Sequence, residues 1–543
     1  MTESATAPAP GATGHKQHLG WALVLICVAQ LMIVLDGTIA NIALPFIGKD
    51  LDISEANLTW IITGYSLAFG GLLLLGGRLG DLYGRRRIFM VGLALFAIAS
   101  LVGGFAQNEA MLLISRGVQG FGAAMASPAA LALITTTFPA GPQRNRAFGV
   151  YAMMSAGGAA VGLILGGWLT GLDGIGGWDI EGWRLTFLIN VPIGLLAAAL
   201  APRVLNESEM HTGELDIPGA ITGTLGLLAV VFGLTRAGEA DHGWGDPVTI
   251  VSLIVGIAFL AVFSVIEQRV KHPLLPVRVF ANKVRASSFV AFMIAPAAMF
   301  AMFYFMSLFF QLIVGYKPLH AGFAFLPFSV GVVLGATISS QLVSRIDVRF
   351  IAGTGTLLAA IAIFMFSRFS IDDSAGHVLS QLANGQTAGA GFNYWAHAFP
   401  YILMMSFGMG LTFVTLTQTA VHHIRQEDSG VASGVLNTMQ QVGGSLGLAA
   451  LSTVSLHFVN QRAADVAPAI AQGLGDTANQ PAPGSTMTNL QYAMQQATFT
   501  DGASHAFVVG SIMMLAASAI IWLFVDVSHK ELATDGPAPA PAH

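Results

Sequence analysis

Charged residues are scarce in this sequence. They make up 10% of its 543 residues, whereas soluble globular chains carry about 25%. Apolar residues account for 54%, and the mean hydropathy is +0.69. This balance excludes an ordinary soluble enzyme and a disordered protein. The net charge of -5 also excludes the strongly basic surface of a nucleic-acid-binding protein.

Cysteine is nearly absent, and motifs that bind nucleotides or metals are missing. Cys27 is the single cysteine, which excludes an intrachain disulfide and a cysteine metal cluster. The sequence has no Walker loop, so we expect neither an enzyme nor an ATP-driven machine. Glycine, in contrast, is abundant, with 63 residues, or about 12% against a usual ~7%. Small residues of this kind favour close packing of helices in lipid.

Long runs without Asp, Glu, Lys or Arg dominate the chain. Such a run of 18 or more residues forms a helix that can cross ~30 Å of hydrocarbon. We therefore predict an all-α polytopic membrane protein with fourteen transmembrane helices. The predicted spans lie at roughly 19–44, 57–77, 88–107, 111–136, 147–171, 185–202, 217–235, 247–266, 287–313, 319–343, 350–368, 398–421, 430–458 and 503–525.

The basic residues predict the orientation of these spans. If the N-terminus is cytoplasmic, 17 of the 24 Lys and Arg residues lie on inner segments and 6 on outer segments, and Arg116 lies within a span. This bias follows the positive-inside rule, so we expect both termini in the cytoplasm. Two outer loops are predicted to be long, at 372–397 and 459–502, and the second to be partly mobile. The basic inner loop at 267–286 is either an amphipathic helix on the membrane surface or a solvated linker.

The strongest local motif is the string GRLGDLYGRRR between the second and third spans. Gly77 and Gly84 allow a tight turn and close approach of helices. Asp81 lies at the membrane boundary, where it can pair with an arginine or accept hydrogen bonds from a helix N-terminus. We interpret Gly77, Asp81, Gly84 and Arg85 as a conformational gate, although the arginines also fit a loop that only sets topology.

This string resembles the signature loop of the major facilitator superfamily, and other segments resemble its 14-helix drug:proton antiporter family, which includes efflux pumps of the QacA and EfpA type. LDGTIANIALP from Leu35 is similar to the first-helix motif of that family. The fourth-helix, sixth-helix and thirteenth-helix patterns have matches at Arg116–Ala124, Trp183–Pro192 and Gly430–Gly447.

The resemblance implies a fold, a function and a location. The fold is two six-helix bundles, at 19–204 and 287–526, with an inserted helix pair and basic loop at 205–286 and disordered tails at 1–18 and 527–543. The function is proton-coupled export of amphiphilic drugs or metabolites across a bacterial cytoplasmic membrane, with antibiotic resistance as a consequence. Such a transporter needs no cofactor besides the proton motive force. Its partners are a small substrate, protons and membrane lipids, with no nucleic acid and no required protein partner. Export of a lipid-like substrate and proton-coupled import remain open.

Two departures from the family pattern affect the expected gate. The fifth-helix antiporter motif has Leu163 where the family has proline, so the proline kink is lost. Gly158, Gly162 and Gly166 remain four residues apart on one helix face and can still admit a neighbouring helix. In the second half, Ser344 stands where the repeat of the signature loop would place its acid. We therefore expect an asymmetric gate.

Only Asp36 and Arg116 are charged residues in the interior of a predicted span. A charge at the bilayer centre costs about 3 kcal/mol on insertion scales. Counted from the outer helix ends, the two lie ~12 Å and ~8 Å deep, within one turn of each other. They can therefore pair directly or through water. We interpret Asp36 as the proton-binding carboxylate and Arg116 as its partner, and the alternative is a static ion pair that locks the first helix to the fourth.

Polar residues in other spans are candidates for the substrate cavity, although each could instead join helices. They are Asn41, Tyr65, Gln119, Tyr304, Gln311, Gln418, Asn437, Gln440 and Gln441. A phenylalanine run at 300–310 either lines an apolar pocket or packs against lipid and neighbouring helices.

Overall fold

A computed structural model describes residues 19–529 except 139–141, 173–179, 208–209, 211–212, 240, 370, 422–428 and 483–486. The predicted tails lie outside the described residues apart from 527–529. The described residues form helices and one isolated β-bridge, between Pro481 and Thr488. This agrees with the predicted all-α fold.

The helices fall into three consecutive groups. The first group comprises α1 (Leu19–Asp50), α2 (Glu55–Tyr83), α3 (Arg85–Gly104), α4 (Glu109–Thr137), α5 (Pro142–Thr170), α6 (Gly182–Leu188) and α7 (Asn190–Val204). The second comprises α8 (Ile217–Gly238) and α9 (Pro247–Arg269). The third comprises α10 (Lys283–Leu308), α11 (Pro318–Ala324), α12 (Leu326–Leu342), α13 (Val348–Phe366), α14 (Ala375–Ala383), α15 (Tyr394–His397), α16 (Phe399–Val421), α17 (Ser429–Leu474) and α18 (Asn489–Phe524).

Each of the fourteen predicted spans coincides with a helix or with two helices in line. Thirteen helical stretches among the described residues are long and apolar enough to cross a membrane. The remaining prediction, 147–171, falls on α5, whose apolar part is Gly157–Thr170. Polar side chains define several helix starts, because they accept hydrogen bonds from backbone N–H groups that the helix leaves free. Ser54, Asn108, Asp216 and Asp246 cap α2, α4, α8 and α9 in this way.

The predicted long loops are wrong in part, because they contain helix. α17 continues to Leu474 and α18 begins at Asn489, so most of 459–502 is helical. The Ala-rich and Gln-rich composition that suggested a mobile loop also has high helix propensity. Apolar positions on these extensions, including Ile470 and Ala493, pack with Val378 of α14 in a small core outside the spans.

The basic inner loop between α9 and α10 is a linker rather than an amphipathic helix. Its regular structure is one 3₁₀ turn, at Val277–Phe280. Leu274, Pro276 and Val279 are buried, so the linker packs on the protein and is only partly solvated.

The inserted pair α8–α9 packs beside both bundles. On one side the Thr224 hydroxyl of α8 lies against Gly71 of α2. On the other side the Thr453 hydroxyl of α17 donates to the Leu234 carbonyl at 2.6 Å. Within the α9 span only 11% of residues are buried, so α9 forms an outer wall. The pair therefore lies at the junction of the two bundles.

Candidate functional site: a central cavity and a buried ion pair

A cavity of about 2130 Å³ lies between the two bundles. Residues of α1, α2, α4 and α5 line one side and residues of α10, α12, α16 and α17 line the other. At one end it reaches the adjoining ends of α2 and α3, through Arg78, Asp81 and Arg85. At the same end it reaches the α9–α10 linker, through residues 270–274, Pro276 and Arg278. The cavity therefore extends to the face that carries the most basic loops.

Contacts between the bundles close the opposite end. The Ser307 hydroxyl of α10 donates to the Asn41 carbonyl of α1 at 2.7 Å. A Cβ atom added to Gly167 of α5 would lie 2.5 Å from the Pro318 carbonyl oxygen of α11, so the two backbones touch there. The Gln495 amide of α18 donates to the Glu55 carboxylate at 2.9 Å. Among the described residues, these contacts therefore close the end of the cavity that lies opposite the basic loops.

Asp36 lies inside the first bundle, where side chains from several helices satisfy its carboxylate. It is 3% exposed. Its Oδ2 accepts a hydrogen bond from Arg116 Nη1 at 2.6 Å. Its Oδ1 accepts from Gln119 Nε2 and from Asn190 Nδ2, each at 2.9 Å. The Ser100 hydroxyl is within hydrogen-bonding distance of both amides. Helices α1, α3, α4 and α7 therefore meet at this carboxylate.

Arg116 separates Asp36 from the cavity. Its guanidinium is 1% exposed and lies 4.3 Å from the centroid of the Tyr65 ring. Its Nε donates to the Ile61 carbonyl at 2.9 Å, and Gln119 Oε1 accepts from Nη1 at 3.0 Å. Arg116 and Tyr65 line the cavity, whereas Asp36 is not among the lining residues. A substrate in the cavity would therefore meet the guanidinium and the phenol before the carboxylate.

The structure divides the predicted cavity residues into two sets. Asn41, Tyr65, Asn437, Gln440 and Gln441 line the cavity. The other predicted residues lie outside its lining: Gln119 holds Asp36, Gln311 donates to Ser307, Tyr304 is buried at 3% exposure, and Gln418 lies half-buried on α16.

The phenylalanine run at 300–310 divides in the same way. Phe300 and Phe303 line the cavity. Phe305, Phe309 and Phe310 pack on other aromatic rings inside the second bundle. The sequence could not separate these sets, because hydropathy does not report how a helix is rotated about its axis.

Sequence reasoning missed several polar residues of the site. Gln30, Ser127 and Tyr151 line the cavity, and the Tyr151 hydroxyl donates to Gln30 Oε1 at 2.8 Å. Asn190 matches a family pattern but has no sequence signal for its contact with Asp36, which lies 154 residues away along the chain.

The predicted gate loop forms two sets of ionic contacts. Asp81 accepts from Arg85 at 3.1 Å, one turn further along the chain. The Arg86 backbone N–H donates to Glu207, beyond the end of α7, at 3.0 Å. Gly84 has φ of 97° and lies against the same carboxylate, so a Cβ there would be 2.7 Å from it. Gly77 lines the cavity wall. Glu207, which the sequence did not single out, thus ties the loop to α7.

The glycines of α5 bring that helix against α1. A Cβ on Gly158 would lie 3.0 Å from Leu31, and one on Gly162 would collide with the Thr38 hydroxyl. A Cβ on Gly166 would lie 3.1 Å from the Ile39 Cα. Leu163, in place of the family proline, is fully buried. The glycines of α5 therefore allow close packing against α1, the helix that carries Asp36.

One short pattern in α17 is shared with hydrolases but has a packing role here. Gly443–Gly447 reads G-x-S-x-G, the pattern of a strained nucleophile turn between a strand and a helix. Ser445 instead lies within α17, and its hydroxyl donates to the Gln441 carbonyl at 2.8 Å. Gly443 and Gly447 face Met293 and Ala297 of α10 at backbone distance. Among the described residues, no three His, Cys, Asp or Glu side chains are grouped to hold a metal ion.

Comparison with known proteins agrees with this architecture. The model of the Major Facilitator Superfamily matches residues 26–448. The chain therefore belongs to the major facilitator superfamily and is a polytopic membrane transporter, as predicted.

Three individual proteins illustrate the relationship. The puromycin resistance protein pur8 of Streptomyces alboniger is 38% identical over 523 residues, covering 94% of this chain and 92% of the relative. The cephamycin export protein CmcT of Amycolatopsis lactamdurans is 34% identical, covering 84% and 89%. A bacterial homologue of the human lysosomal transporter Spinster, crystallised in an inward-facing and occupied conformation, shares the fold. Its TM-score is 0.65 at 16% identity, covering 95% of this chain and 99% of that one.

Proposed function

We propose that this protein exports amphiphilic small molecules, antibiotics among them, across a bacterial cytoplasmic membrane in exchange for protons. The names of the relatives support the substrate class. Besides puromycin resistance and cephamycin export, they include a lincomycin resistance protein of Streptomyces lincolnensis, 33% identical over 79% of this chain and 82% of the relative. The cavity supports it as well, because its wall contains both amide side chains and aromatic rings, and Arg116 is its one deep charge among the described lining residues.

The charge pattern supports the direction of transport. The face to which the cavity extends carries the basic loops, which the positive-inside rule assigns to the cytoplasm. Both termini would then be cytoplasmic, and the described conformation would accept substrate from inside the cell. The contacts of Ser307, Gly167 and Gln495 would form the closed outer gate.

The buried pair of Asp36 and Arg116 is the observation that carries proton coupling. While Asp36 is ionised, it neutralises the guanidinium that faces the cavity. When a proton neutralises Asp36, Arg116 becomes an uncompensated charge in a site of low polarity, which is strongly unfavourable. A conformation that hydrates Arg116 is then favoured. One unit of ΔpH supplies about 1.4 kcal/mol per proton, and 100 mV supplies about 2.3 kcal/mol per charge moved.

Transport of a fluorescent dye in proteoliposomes tests this proposal. The wild type should transport a cationic dye such as ethidium when ΔpH is imposed, and Asp36→Asn should not. Asp36→Asn should still exchange dye between the two sides in counterflow without ΔpH, because the cavity is intact. Asp476→Asn, the same change at an exposed outer position, is the matched control and should behave as wild type.

Three results would redirect the proposal. Equal ΔpH-driven transport by wild type and Asp36→Asn would leave Asp36 and Arg116 as a static lock between α1 and α4. Raised dye accumulation in expressing cells would indicate import. Translocation of a fluorescent phospholipid without dye transport would identify a lipid-like substrate.

A further inference from the structure

Two acidic side chains meet at the inner end of the inserted helix pair, away from Asp36. Asp216 precedes α8 and Glu267 lies in the last turn of α9. They are 2% and 5% exposed. A Cβ on Gly223 of α8 would lie 3.2 Å from the Phe263 ring of α9, so the antiparallel packing of the two helices brings both carboxyl groups to the same level and close to each other. Glu267 also lines the mouth of the cavity.

Each carboxyl uses one oxygen to hold backbone and leaves the other without a donor. Asp216 Oδ1 accepts from the Gly219 N–H at 2.8 Å, which caps α8. Glu267 Oε2 accepts from the Leu275 N–H at 2.8 Å, which fixes the α9–α10 linker. Asp216 Oδ2 and Glu267 Oε1 are buried and have no donor among the described residues. Adjacent buried carboxylates do not both ionise, and one shared proton supplies the missing donor.

The charged side chains around Asp216 and Glu267 do not neutralise the pair in place of that proton. Arg78 of α2 lies beside Gly213, three residues before Asp216. Arg269, Lys271, His272 and Glu214 are exposed, and residues 429–437 at the start of α17 contain no titratable side chain. Within the described part of the chain, neither Asp216 nor Glu267 has an ion-pair partner.

We infer that Asp216 and Glu267 form a second proton-binding site, whose shared proton holds the α9–α10 linker against the inserted pair at the cavity mouth. When the proton leaves, the two carboxylates repel each other. Glu267 then moves away from the Leu275 N–H, the hydrogen bond between them is lost, and the linker becomes more mobile. The site goes beyond the proposed transport function and does not depend on Asp36, because it requires neither substrate nor a proton gradient.

Hydrogen–deuterium exchange of the purified full-length protein in lipid nanodiscs tests this site between pH 5 and 9. Rates are corrected for the intrinsic pH dependence of amide exchange. In the wild type, protection of the peptide that contains Leu275 should fall by up to about tenfold per pH unit while the site loses its proton. Glu267→Gln and Asp216→Asn keep a backbone acceptor but remove the shared proton, so the peptide should stay protected at every pH. Glu214→Gln, an exposed acid nearby, should behave as wild type.

Three outcomes would overturn the inference. Protection of the wild-type linker could be independent of pH, the pH dependence could persist in both neutral variants, or Glu214→Gln could abolish it. Exchange in α8 and α9 peptides, unchanged among the variants, verifies that each of them is folded. Failure of dye transport in the preceding experiment would leave this measurement unaffected.

Discussion

The energetic coupling between Asp36 and Arg116 can be measured by a double-mutant cycle. Arg116→Gln removes the charge that faces Asp36 at 2.6 Å and leaves a buried carboxylate with only Gln119 and Asn190 as donors. Breaking one side of a buried ion pair costs about 3–5 kcal/mol, and this variant should fall in that range.

Asp36→Asn should cost less than Arg116→Gln. The guanidinium keeps the Ile61 carbonyl, Gln119 Oε1 and the Tyr65 ring as neighbours, so we expect a cost near the lower end, about 3 kcal/mol. The double variant contains no unpaired charge. Its cost should therefore be smaller than the sum of the single costs by at least about 2 kcal/mol, within the range found for groups in contact.

The assay is reversible unfolding by SDS in mixed micelles, followed by far-UV circular dichroism at constant pH. The pair of Asp50 and Arg184 is the internal control, because its side chains are 28% and 20% exposed and exposed pairs contribute about 0–1 kcal/mol. Additivity of Asp36→Asn and Arg116→Gln within about 0.5 kcal/mol would refute the interpretation that each charge is held by the other.

Three further predictions concern helix packing beside the cavity, the closed end of the cavity, and a contact near the end of α18. Gly162→Ala should lower the free energy of unfolding by about 1–3 kcal/mol, because its methyl group would collide with α1. Gly157→Ala has open space and should raise it by about 0.4–1 kcal/mol; the same SDS titration compares them. Ser307→Ala loses a hydrogen bond across the closed end, worth about 0.5–1.5 kcal/mol, so spin labels on α5 and α11 should show more separated pairs, and an unchanged distance distribution would contradict this. The His529 side chain and backbone N–H hold the pKa of the Asp347 carboxyl below its ordinary value of 3.8. The contact therefore stabilises the fold above that value and weakens as pH falls through the lowered pKa, which amide exchange of residues 525–529 should show and Asp347→Asn should abolish.

The spans were predictable from sequence because crossing a membrane is a local property. A helix of about 20 residues without charge satisfies its own backbone and the lipid, and no distant contact is needed to define it. The same arithmetic placed Asp36 and Arg116 at one level, and in the structure the two side chains are in direct contact. The end of α17 was missed for a related reason, since outside the membrane hydropathy no longer separates a helix from a loop.

The composition of the site was less predictable because it depends on helix rotation and on distant partners. Gln119 follows Arg116 by three residues and lies on the same face of α4, yet it points at Asp36 and not into the cavity. Gln440 and Gln441 do line the cavity, although nothing in their local sequence distinguishes them from Gln418. Asn190 and Glu207 act across more than a hundred residues of chain, and a single sequence contains no signal of such pairs.

The geometry links the buried pair to the closed end of the cavity by a short path. Asn41 follows Asp36 by five residues on α1, about 7.5 Å along the helix, and its carbonyl accepts the Ser307 hydrogen bond of the other bundle. On the α5 side, Gly166 touches Ile39 of α1, and the next residue, Gly167, touches α11. A change in how α1 is held at Asp36 therefore reaches the contacts between the bundles within two turns of helix. Arg116 and Tyr65 screen Asp36 from the cavity. In the proposed antiport, a proton on Asp36 would therefore not compete with substrate for one position, and the exchange would proceed through the position of α1.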